Sequence, residues 1–468
     1  MNNNFSKLGF ILATLGSSIG LGHIWRFPYI AGEHGGSAFV IMYVMLTIII
    51  GIPILIAKMV MGNKTQKNAV RAFEELDNTT KRHWKKAGIA IIGGPLILSY
   101  YAVVLGWVFY YLCIVSFNLP SKIEDSNAIF GDLVGSNLLA SIVSFAICIF
   151  STGYIVSRGI KNGLEKFNFI LMPLLFIIFM GLFFYAMTLP SFSKAIDFLF
   201  TFNISKIDSN VFIMALSQVF FSLSIGVGII ITYSASASKG QNLLSSASWI
   251  ALSGVVISLV AGMIIFTFLF QYGQEANEGA GMLFKSLPVV FGEMHYGSVI
   301  SFLFFMAVLF AGITSTISVL EPSVAYLCDK FSASRQKVSL ILCFIIFIVG
   351  VFVILSLNQQ TSSYLTYFDK SLFDWLDFIT SAIIMPLGGL VALVFLTFVV
   401  NKSSVYKFVR GFMSRTCFNV WYVIVKYVAP FVIIIVLYSK FIDTFFKDSV
   451  FSPQFILGFL LDKLLVLF

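Results

Sequence analysis

Long hydrophobic runs alternate with short polar segments along almost the whole chain. A helix needs about 20 apolar residues to cross a hydrocarbon layer of about 30 Å, and these runs have that length. Runs bounded by glycine, proline, asparagine and charged residues predict eleven membrane spans. They lie near residues 7–31, 37–61, 88–116, 137–156, 167–187, 211–236, 243–271, 297–327, 337–357, 374–400 and 419–440. The pattern therefore predicts an all-α polytopic membrane protein.

The last stretch, residues 451–468, is apolar but short, and it carries Asp462 and Lys463. A twelfth span, an interfacial helix and a frayed tail are all compatible with this pattern. We favour eleven spans and leave the role of the stretch open.

Glycine clusters interrupt two of the spans, which lie five spans apart. The first span contains Gly16, Gly20 and Gly22, and the sixth contains Gly226 and Gly228. Glycines spaced like the first two are by themselves more typical of helix packing. Breaks at corresponding places in two halves, however, indicate discontinuous helices in an inverted repeat. We predict three regions: a first repeat in 1–187, a second in 188–400, and helix 11 with a C-terminal segment in 401–468.

Composition and charge narrow the class of protein. Hydrophobic residues make up 59% of the chain and charged residues 11%, against about 25% charged residues in ordinary soluble domains. The net charge of +9 comes from basic residues in alternate loops, a bias that predicts a cytoplasmic N-terminus and not nucleic-acid binding. We recognise no signal peptide, no cysteine pair in an exterior loop, and no metal-binding or nucleophile motif. We therefore expect an integral membrane protein that is not an enzyme.

Short motifs along the chain carry a family resemblance. The string GLGHIWRFP at residues 20–28 and the string GGSAF at residues 35–39 resemble the first-helix signature of the neurotransmitter:sodium symporters. Further matches follow in family order at residues 99–107, 218–228, 311–322 and 376–378. The resemblance covers spans 1 to 10 and implies a leucine-transporter-like 5+5 inverted repeat with broken helices 1 and 6. It also implies secondary active transport by alternating access, which we place in a bacterial inner (plasma) membrane.

By this resemblance, the second sodium site of the family has its ligands in place. They are the backbone carbonyls of Gly16, Ile19 and Ala311 and the hydroxyls of Thr314 and Ser315. Unwound helix backbone frees carbonyl oxygens for a cation. Without the resemblance, hydroxyls that bond back to their own helix would be an equal interpretation. We expect Na⁺ at this site.

The resemblance also implies a central substrate site. Its lining would be Ser18, Gly20, Gly22, Ile97, Tyr101, Phe221, Ser222, Ser224, Val227, Ser315 and Val319. Members that carry monoamines place an aspartate where this chain has Gly20, whereas glycine leaves room and backbone amides for a substrate carboxylate. Tyr101 would donate its hydroxyl to that carboxylate. Apolar Ile97, and Val227 where the family often has a larger side chain, favour a zwitterionic amino acid with a hydrophobic or aromatic side chain.

The first sodium site departs from the family pattern. The positions concerned are Ser18, His23, Ser222 and Gly254. An imidazole replaces an amide at His23, and Gly254 offers no side chain, so we predict that this site does not hold Na⁺ as it does in the family. Two interpretations of His23 stay open. A protonated ring would attract the substrate carboxylate and couple H⁺ to transport, since the ordinary pKa of histidine is about 6.5; a neutral ring would bond to backbone.

Four polar side chains match the anion-binding positions of chloride-dependent members. They are Tyr43, Gln218, Ser222 and Ser258. Hydroxyls and amides are also common groups in helix cores. Beside a cationic His23, however, an anion would offset buried charge, so we hypothesise that Cl⁻ or a similar anion binds there.

Charged residues near the ends of the spans are candidate gates. Arg26 and Asp377 match the extracellular pair of the family, one from each repeat, and Asp329 matches a cytoplasmic gate residue. A lone charge within a span is a functional candidate because its burial is costly. We expect Arg26 and Asp377 to close the outer side and Asp329 to help close the inner side.

Two features of the inner side differ from the family. The usual N-terminal partner motif is eroded, and Phe5 and Lys7 are the candidate substitutes. Lys58 stands where many members carry glutamate, and we predict that its side chain extends to the cytoplasmic interface.

Other functional classes stay open. Altered ion ligands and an eroded N-terminal motif are also what a non-transporting amino-acid sensor, or an accessory membrane protein of the same fold, would show. We expect a small-molecule amino acid and the lipid bilayer as partners, and Na⁺ as the driving ion. The sequence leaves open which amino acid is carried, the ion stoichiometry and the oligomeric state.

Overall fold

The structure is a computed structural model, and it describes residues 5–79, 83–201, 207–276, 279–368 and 370–445. Most of these residues are helical. A short antiparallel pair joins β1 (Thr366–Tyr367) to β2 (Lys370–Ser371). The stretch 451–468 lies outside the described residues, so the preference for eleven spans over twelve stays a prediction.

Within the described residues, nine helices are long and apolar enough to cross a membrane, and the bent pair Lys7–Ser18 with Gly22–Glu33, at the place of span 1, makes ten. The helices Ser209–Ser222 and Ile229–Ala235 lie where span 6 is predicted, so the number eleven stays a prediction, and the spans are numbered by it in chain order. The others are Ser37–Thr65, Trp84–Phe117, Leu138–Ser157, Ile160–Met187, Leu243–Gln271, Gly297–Phe331, Arg335–Leu357, Leu372–Val399 and Arg415–Ser439. Spans 3 and 5 begin earlier than predicted because their first helical turns are polar and precede the apolar run. The predicted fold class is confirmed.

Shorter helices lie between the spans at Ala69–Leu76, Ile123–Gly135, Phe192–Phe200, Ser286–Glu293 and Lys402–Val409, with single turns at Gly279–Leu283 and Ser362–Leu365. The hydrophobic pattern did not predict them, because a short helix with one face on the bundle has a mixed composition. The first of them begins after Asn68, whose side chain accepts the Arg71 N–H at 3.1 Å. Such a cap satisfies a free amide at the start of a helix.

Glycines and serines at the centres of spans 1 and 6 explain why both are broken. Span 1 bends by 49° at its break, where Ile19 has a non-helical ψ of 86°. In span 6, Ser224, Gly226 and Gly228 have positive φ values of 51°, 142° and 81°. Glycine adopts positive φ without the strain that a Cβ atom causes. The sequence therefore stops each helix partway along its span, as predicted.

The two breaks meet in the middle of the bundle. The first half of span 1 packs against spans 5, 7 and 8, and the second half of span 6 packs against span 2. Span 8 also packs against spans 3 and 4, and span 4 packs against span 9. The Ser224 hydroxyl donates to the Ser17 carbonyl at 3.2 Å, which joins the two breaks directly. Backbone groups of both broken helices thus face one central region, as an inverted repeat requires.

Candidate functional site

A central cavity lies between the two breaks. It is lined by Ser17, Ser18, Gly20, Gly22, Ile97, Tyr101, Phe221, Ser224, Val227, Ile229, Ser315, Val319 and Met385. All of the predicted substrate-site residues except one are in this lining, while Ser17, Ile229 and Met385 were not predicted. The exception is Ser222, whose hydroxyl lies 3.3 Å from that of Tyr43. Ser222 therefore belongs to a polar cluster around Tyr43 and not to the cavity wall.

The cavity has a polar end and an apolar end. The hydroxyls of Ser17 and Ser18 are buried and form no hydrogen bond with a described residue. The Tyr101 hydroxyl accepts the Leu21 N–H at 3.3 Å. Since an unpaired buried hydroxyl is costly, this end favours a ligand with polar or charged groups. The apolar end consists of Ile97, Val227, Ile229, Val319 and Met385.

Glycine is required at two points where the backbone passes close to side chains. A Cβ atom on Gly20 would collide with the Ser315 side chain and would lie 3.1 Å from the Tyr101 hydroxyl. A Cβ atom on Gly22 would lie 2.8 Å from the Phe221 ring. Any side chain at position 20, an aspartate included, would therefore fill the polar end of the cavity.

The cavity is narrow in this conformation. Its volume is about 50 Å³, below the roughly 300–1,000 Å³ of sites that bury a small molecule. The Phe221 ring forms part of the wall, and the Arg26 guanidinium lies 4.8 Å from the centre of that ring. A hydrophobic amino acid would enter only when mobile side chains of the wall, such as Phe221 and Met385, move aside.

The predicted ligands of the second sodium site lie where the break of span 1 meets span 8. The Thr314 hydroxyl donates to the Ala311 carbonyl at 3.0 Å, and the Ser315 hydroxyl donates to the Gly16 carbonyl at 3.4 Å. Ile19 stands at the break itself, where helical hydrogen bonding ends. Carbonyl and hydroxyl oxygens from two spans thus lie close together, and such oxygens are the ligands that hard cations prefer.

Asn168 of span 5 is a neighbour of this site that the sequence analysis missed. Its side chain is buried, and its amide nitrogen donates to the Leu164 carbonyl at 2.7 Å. Its amide oxygen lies against Gly16 and has no hydrogen-bond partner in the described part of the chain. The sequence did indicate Asn168, because burying a lone amide in an apolar span costs free energy. Such a residue is therefore a functional candidate.

The ring of His23 fills the region of the predicted first sodium site. His23 is completely buried, and a Cβ atom on Gly254 would lie 2.6 Å from its Nε2 atom. The Ser18 backbone approaches the ring, yet neither ring nitrogen makes a hydrogen bond of ordinary geometry to a described residue. His23 thus takes the space that a side chain at position 254 would need. The volumes available at positions 23 and 254 are therefore linked in this structure.

The predicted anion site is a cluster of hydroxyls around Tyr43. The Tyr43 hydroxyl donates to Ser222 Oγ at 3.3 Å. The hydroxyls of Ser258 and Thr47 lie nearby, and both are buried without a hydrogen-bond partner of ordinary geometry among the residues described. Thr47 was not predicted. The cluster therefore holds polar groups that the protein itself does not fully satisfy.

Gln218, predicted as an anion-binding residue, bonds to two neighbours. Its Nε2 atom donates to the Gly22 carbonyl at 2.7 Å, and its Oε1 atom accepts from Arg26 at 2.7 Å. The amide nitrogen has a second N–H group, so a role of Gln218 in anion binding stays a prediction. Gln218 links the break of span 1 to the predicted outer gate.

The predicted outer gate residues, Arg26 and Asp377, share their surroundings. Both lie close to Tyr29 and Tyr100. Arg26 also donates to Ser217 at 3.4 Å. Opposite charges from the two repeats therefore face the same aromatic side chains just beyond Phe221.

Asp329 has a partner that the sequence did not indicate. Its carboxylate accepts from Arg71 at 2.9 Å and from Asn68 at 3.1 Å, at the start of the short helix after span 2. A second ion pair at this end of the bundle joins Glu321 of span 8 to Arg335 of span 9. Asp329 thus binds the short helix after span 2.

Phe5 docks the N-terminal segment into the bundle. Its ring is 3% exposed and lies 5.5 Å from the Tyr233 ring. Next to it, the Ser6 hydroxyl donates to Glu165 at 2.5 Å. Lys7, the other predicted substitute, is exposed. Phe5 therefore packs into the bundle, whereas Lys7 does not, and a substitution for the family motif by either residue stays a prediction.

The prediction for Lys58 is wrong. Its side chain does not reach the interface, since it is only 2% exposed. The neighbouring residues from Pro53 to Asn63 are buried as well, because the second half of span 6 packs against this part of span 2.

Two interrupted helices that meet at a small cavity, with charged contacts beyond it on both sides, define a secondary transporter of the inverted-repeat type. The chain matches the sequence profile of the Sodium:neurotransmitter symporter family over residues 2–130 and 121–456. It belongs to that family and is a sodium-dependent integral membrane transporter, not an enzyme.

Individual relatives agree with this assignment. The chain is 33% identical over 436 residues to the sodium-dependent transporter YhdH of Bacillus subtilis, which covers 92% of this chain and 96% of YhdH. It is 32% identical over 445 residues to a sodium-dependent transporter of Haemophilus influenzae, with 93% and 97% covered. The crystal structure of MhsT in complex with L-phenylalanine is similar in fold, with a TM-score of 0.84 and 34% identity over 92% of this chain and 98% of MhsT.

Proposed function

We propose that the protein takes up a zwitterionic amino acid with a hydrophobic or aromatic side chain. The proposal rests on the central cavity, which has serine hydroxyls, Tyr101 and interrupted backbone at one end and an apolar wall at the other. Backbone N–H groups at a helix break stabilise a carboxylate. Position 20 has no room for an aspartate, which favours a substrate that carries its own carboxylate. The similarity to MhsT, solved with L-phenylalanine, supports the same substrate class.

The driving Na⁺ binds at the second site in this proposal. There it would replace two hydrogen bonds, from Thr314 to Ala311 and from Ser315 to Gly16, with contacts to the same oxygens. The ion would tie span 1 to span 8, and its departure would let the hydroxyls return to the carbonyls. Since these two hydroxyls and two carbonyls are paired with or without the ion, the site can load and unload Na⁺ during a transport cycle.

Transport then follows alternating access between two inverted repeats, residues 1–187 and 188–400, with 401–468 as an added segment. Spans 1, 2, 6 and 7 would move against the rest. We propose a cytoplasmic N-terminus from the basic loops and, from the bacterial relatives, a place in a bacterial plasma membrane.

Gate contacts on the two sides would alternate in this cycle. On the outer side, Arg26 and Asp377 would separate and Phe221 would move to admit the substrate. On the inner side, the Arg71–Asp329 ion pair and the docked Phe5 would part to release it. Each of these contacts joins different elements, so breaking it opens a path without unfolding a helix.

The first sodium site would not hold Na⁺, because His23 fills the space beside Gly254. A charge on this buried ring is favoured only when a negative partner lies next to it. The substrate carboxylate and an anion on the hydroxyls of Tyr43, Ser222 and Ser258 are two such partners. H⁺ and Cl⁻ would therefore bind together with the substrate, and neither would bind strongly alone.

Uptake by the purified protein in liposomes tests the proposal. Labelled phenylalanine, leucine, lysine and a monoamine are offered while Na⁺, H⁺ and Cl⁻ gradients are imposed one at a time. We expect a Na⁺ gradient to drive accumulation of phenylalanine or leucine and not of the monoamine. Binding of these amino acids without uptake under any gradient would contradict transport and would favour the non-transporting sensor.

A further inference from the structure

A second, larger cavity opens at the same end of the bundle as Asp329, beside the predicted inner gate, and the proposed transport cycle assigns it no ligand. Its volume is about 740 Å³. It lies between the short helix Ala69–Leu76, the first turns of span 3 and the last turns of span 8, with Leu342 of span 9 on one side. A cavity of this size between fixed helices can hold a ligand.

Basic side chains surround this cavity. Lys85, Lys86 and Lys330 line it, and none of them forms an ion pair with another residue that the structure describes. Arg71 also lines it, but its charge is shared with Asp329 at 2.9 Å and Glu74 at 3.9 Å. The lining holds four basic residues and one carboxylate, Glu74. A bound anion would offset this excess of positive charge.

The wall between these cations is apolar and reaches the membrane-facing surface. Ile89 and Ile92 line the cavity and are 65% and 53% exposed. Beside Leu342, span 9 exposes Leu340 and Ile341 at 63% and 49%. An inorganic anion would leave this apolar wall uncovered, whereas the acyl chains of a phospholipid would bury it.

Close packing holds the walls of the cavity in place. A Cβ atom on Gly88 would lie 2.6 Å from the Val70 Cα atom, so the start of span 3 touches the short helix backbone to backbone. On the opposite side, the Ser323 hydroxyl donates to the Ile91 carbonyl at 3.0 Å and ties span 8 to span 3. The basic and apolar groups are therefore presented by elements that touch one another directly in this conformation.

We propose that this cavity binds an anionic phospholipid, with its phosphate between Lys85, Lys86 and Lys330 and its acyl chains along Ile89 and Ile92. Basic pockets between helices at a membrane surface recognise such headgroups. The headgroup also comes within reach of Arg71 and competes with Asp329 for it. Lipid binding therefore weakens a contact that closes the inner side, and membrane composition adjusts how readily that side opens.

Spin-labelled lipids test the proposal on the full-length protein in phosphatidylcholine vesicles. The fraction of immobilised label is measured for phosphatidylglycerol and for phosphatidylcholine. We expect preference for phosphatidylglycerol, and an about tenfold loss of it when Lys85, Lys86 and Lys330 are all changed to glutamine. The matched control changes Lys161, Lys166 and Lys337, three exposed lysines elsewhere, to glutamine and keeps the preference.

Two further arms separate a lipid from a soluble anion. Ile89→Ser with Ile92→Ser shortens the apolar wall and is expected to lower lipid immobilisation while all charges remain. Inorganic phosphate and glycerophosphate, added in excess, are expected not to displace the lipid. Equal loss of preference in both lysine triples, or displacement by phosphate alone, overturns the proposal. This assay measures binding only, so its result does not depend on which amino acid is transported.

Discussion

The two ion regions of this symporter differ in what supplies their polar atoms. At the second sodium site, three of the predicted ligands are backbone carbonyls, and the hydroxyls of Thr314 and Ser315 already contact two of them. In the region of the first sodium site, the family's ligands are mainly side chains. In this chain the His23 ring packs over Gly254 there. One region keeps its oxygen ligands, and the other is filled by a ring.

The comparison suggests how a transporter could change its ion requirement and keep its fold. Substitutions cannot remove a carbonyl that a helix break exposes, so part of the second site depends on the break alone. A site built from side chains would be lost when one residue grows and its neighbour shrinks, which is what we propose for His23 and Gly254. The difference predicts one sodium ion per transport cycle.

Removing the hydroxyls of the second site is expected to have the largest effect. Thr314→Ala with Ser315→Ala leaves the carbonyls and deletes two ligands, each worth about 1.5–3 kcal/mol to a charged partner. The Na⁺ concentration for half-maximal substrate binding should rise by about a hundredfold or more. Binding of labelled substrate, followed as the Na⁺ concentration is increased, measures this half-maximal concentration. Thr314→Ser with Ser315→Thr retains both hydroxyls, and an equal loss in that control would assign the effect to packing.

Adding one methyl group at position 20 should weaken substrate binding even when Na⁺ is saturating. Gly20→Ala places a Cβ atom against Ser315 and 3.1 Å from the Tyr101 hydroxyl. Overpacking of about 1–3 kcal/mol corresponds to a roughly tenfold to hundredfold loss of amino-acid affinity. Equilibrium binding at saturating Na⁺ tests this. Gly181→Ala is the matched control, because a Cβ atom there meets nothing within 4 Å; similar losses in both variants would contradict the assignment of Gly20.

Adding a side chain at position 254 tests directly whether His23 and residue 254 compete for the same space. Gly254→Asn alone brings a Cβ atom to 2.6 Å from the His23 ring and should lower the free energy of unfolding by about 1–3 kcal/mol. Adding His23→Asn removes the ring and supplies two amide groups. We expect thermal unfolding to show recovered stability, together with a steeper dependence of substrate binding on Na⁺. A double variant no more stable than the single one would show that the two positions are not coupled.

The smallest effect concerns pH. If a proton on His23 attracts the substrate carboxylate, substrate affinity at saturating Na⁺ should fall a few-fold as the pH rises from about 5 to 8. His23→Asn has no titrating group at this position, so its affinity should be independent of pH. His34→Asn, at the outer end of span 1, is the control and should keep the wild-type profile. If the His23→Asn variant keeps the pH dependence, that dependence does not come from His23. The result would favour a neutral His23 ring with a structural role.

Features that depend on local composition could be predicted from the sequence. The membrane spans follow from apolar runs, and the breaks of spans 1 and 6 follow from glycines such as Gly226 that require positive φ. The residues of the cavity wall could be predicted because motifs on spans 1, 3, 6 and 8 resemble one family. These features need no knowledge of how the spans pack.

Features that depend on tertiary partners could not be predicted. Gln218 matches an anion-binding position, but its amide bonds to Gly22 and Arg26. Lys58 is buried because span 6 covers it, and the partner of Asp329 lies on a short helix that the hydrophobic pattern does not indicate. Asn168 left a signal, a lone amide in an apolar run, but only the fold brings it against Gly16. Spacing along the chain does not fix which side chains meet.

The ratio of sodium to amino acid transported tests the central claim most directly. Parallel uptake of radioactive Na⁺ and of labelled phenylalanine or leucine into the same liposomes gives this ratio. One Na⁺ per amino acid is the result expected from an intact second site and a filled first site. Two Na⁺ per amino acid would mean that the region around His23 and Gly254 still holds an ion, which would contradict a single driving ion at the second site.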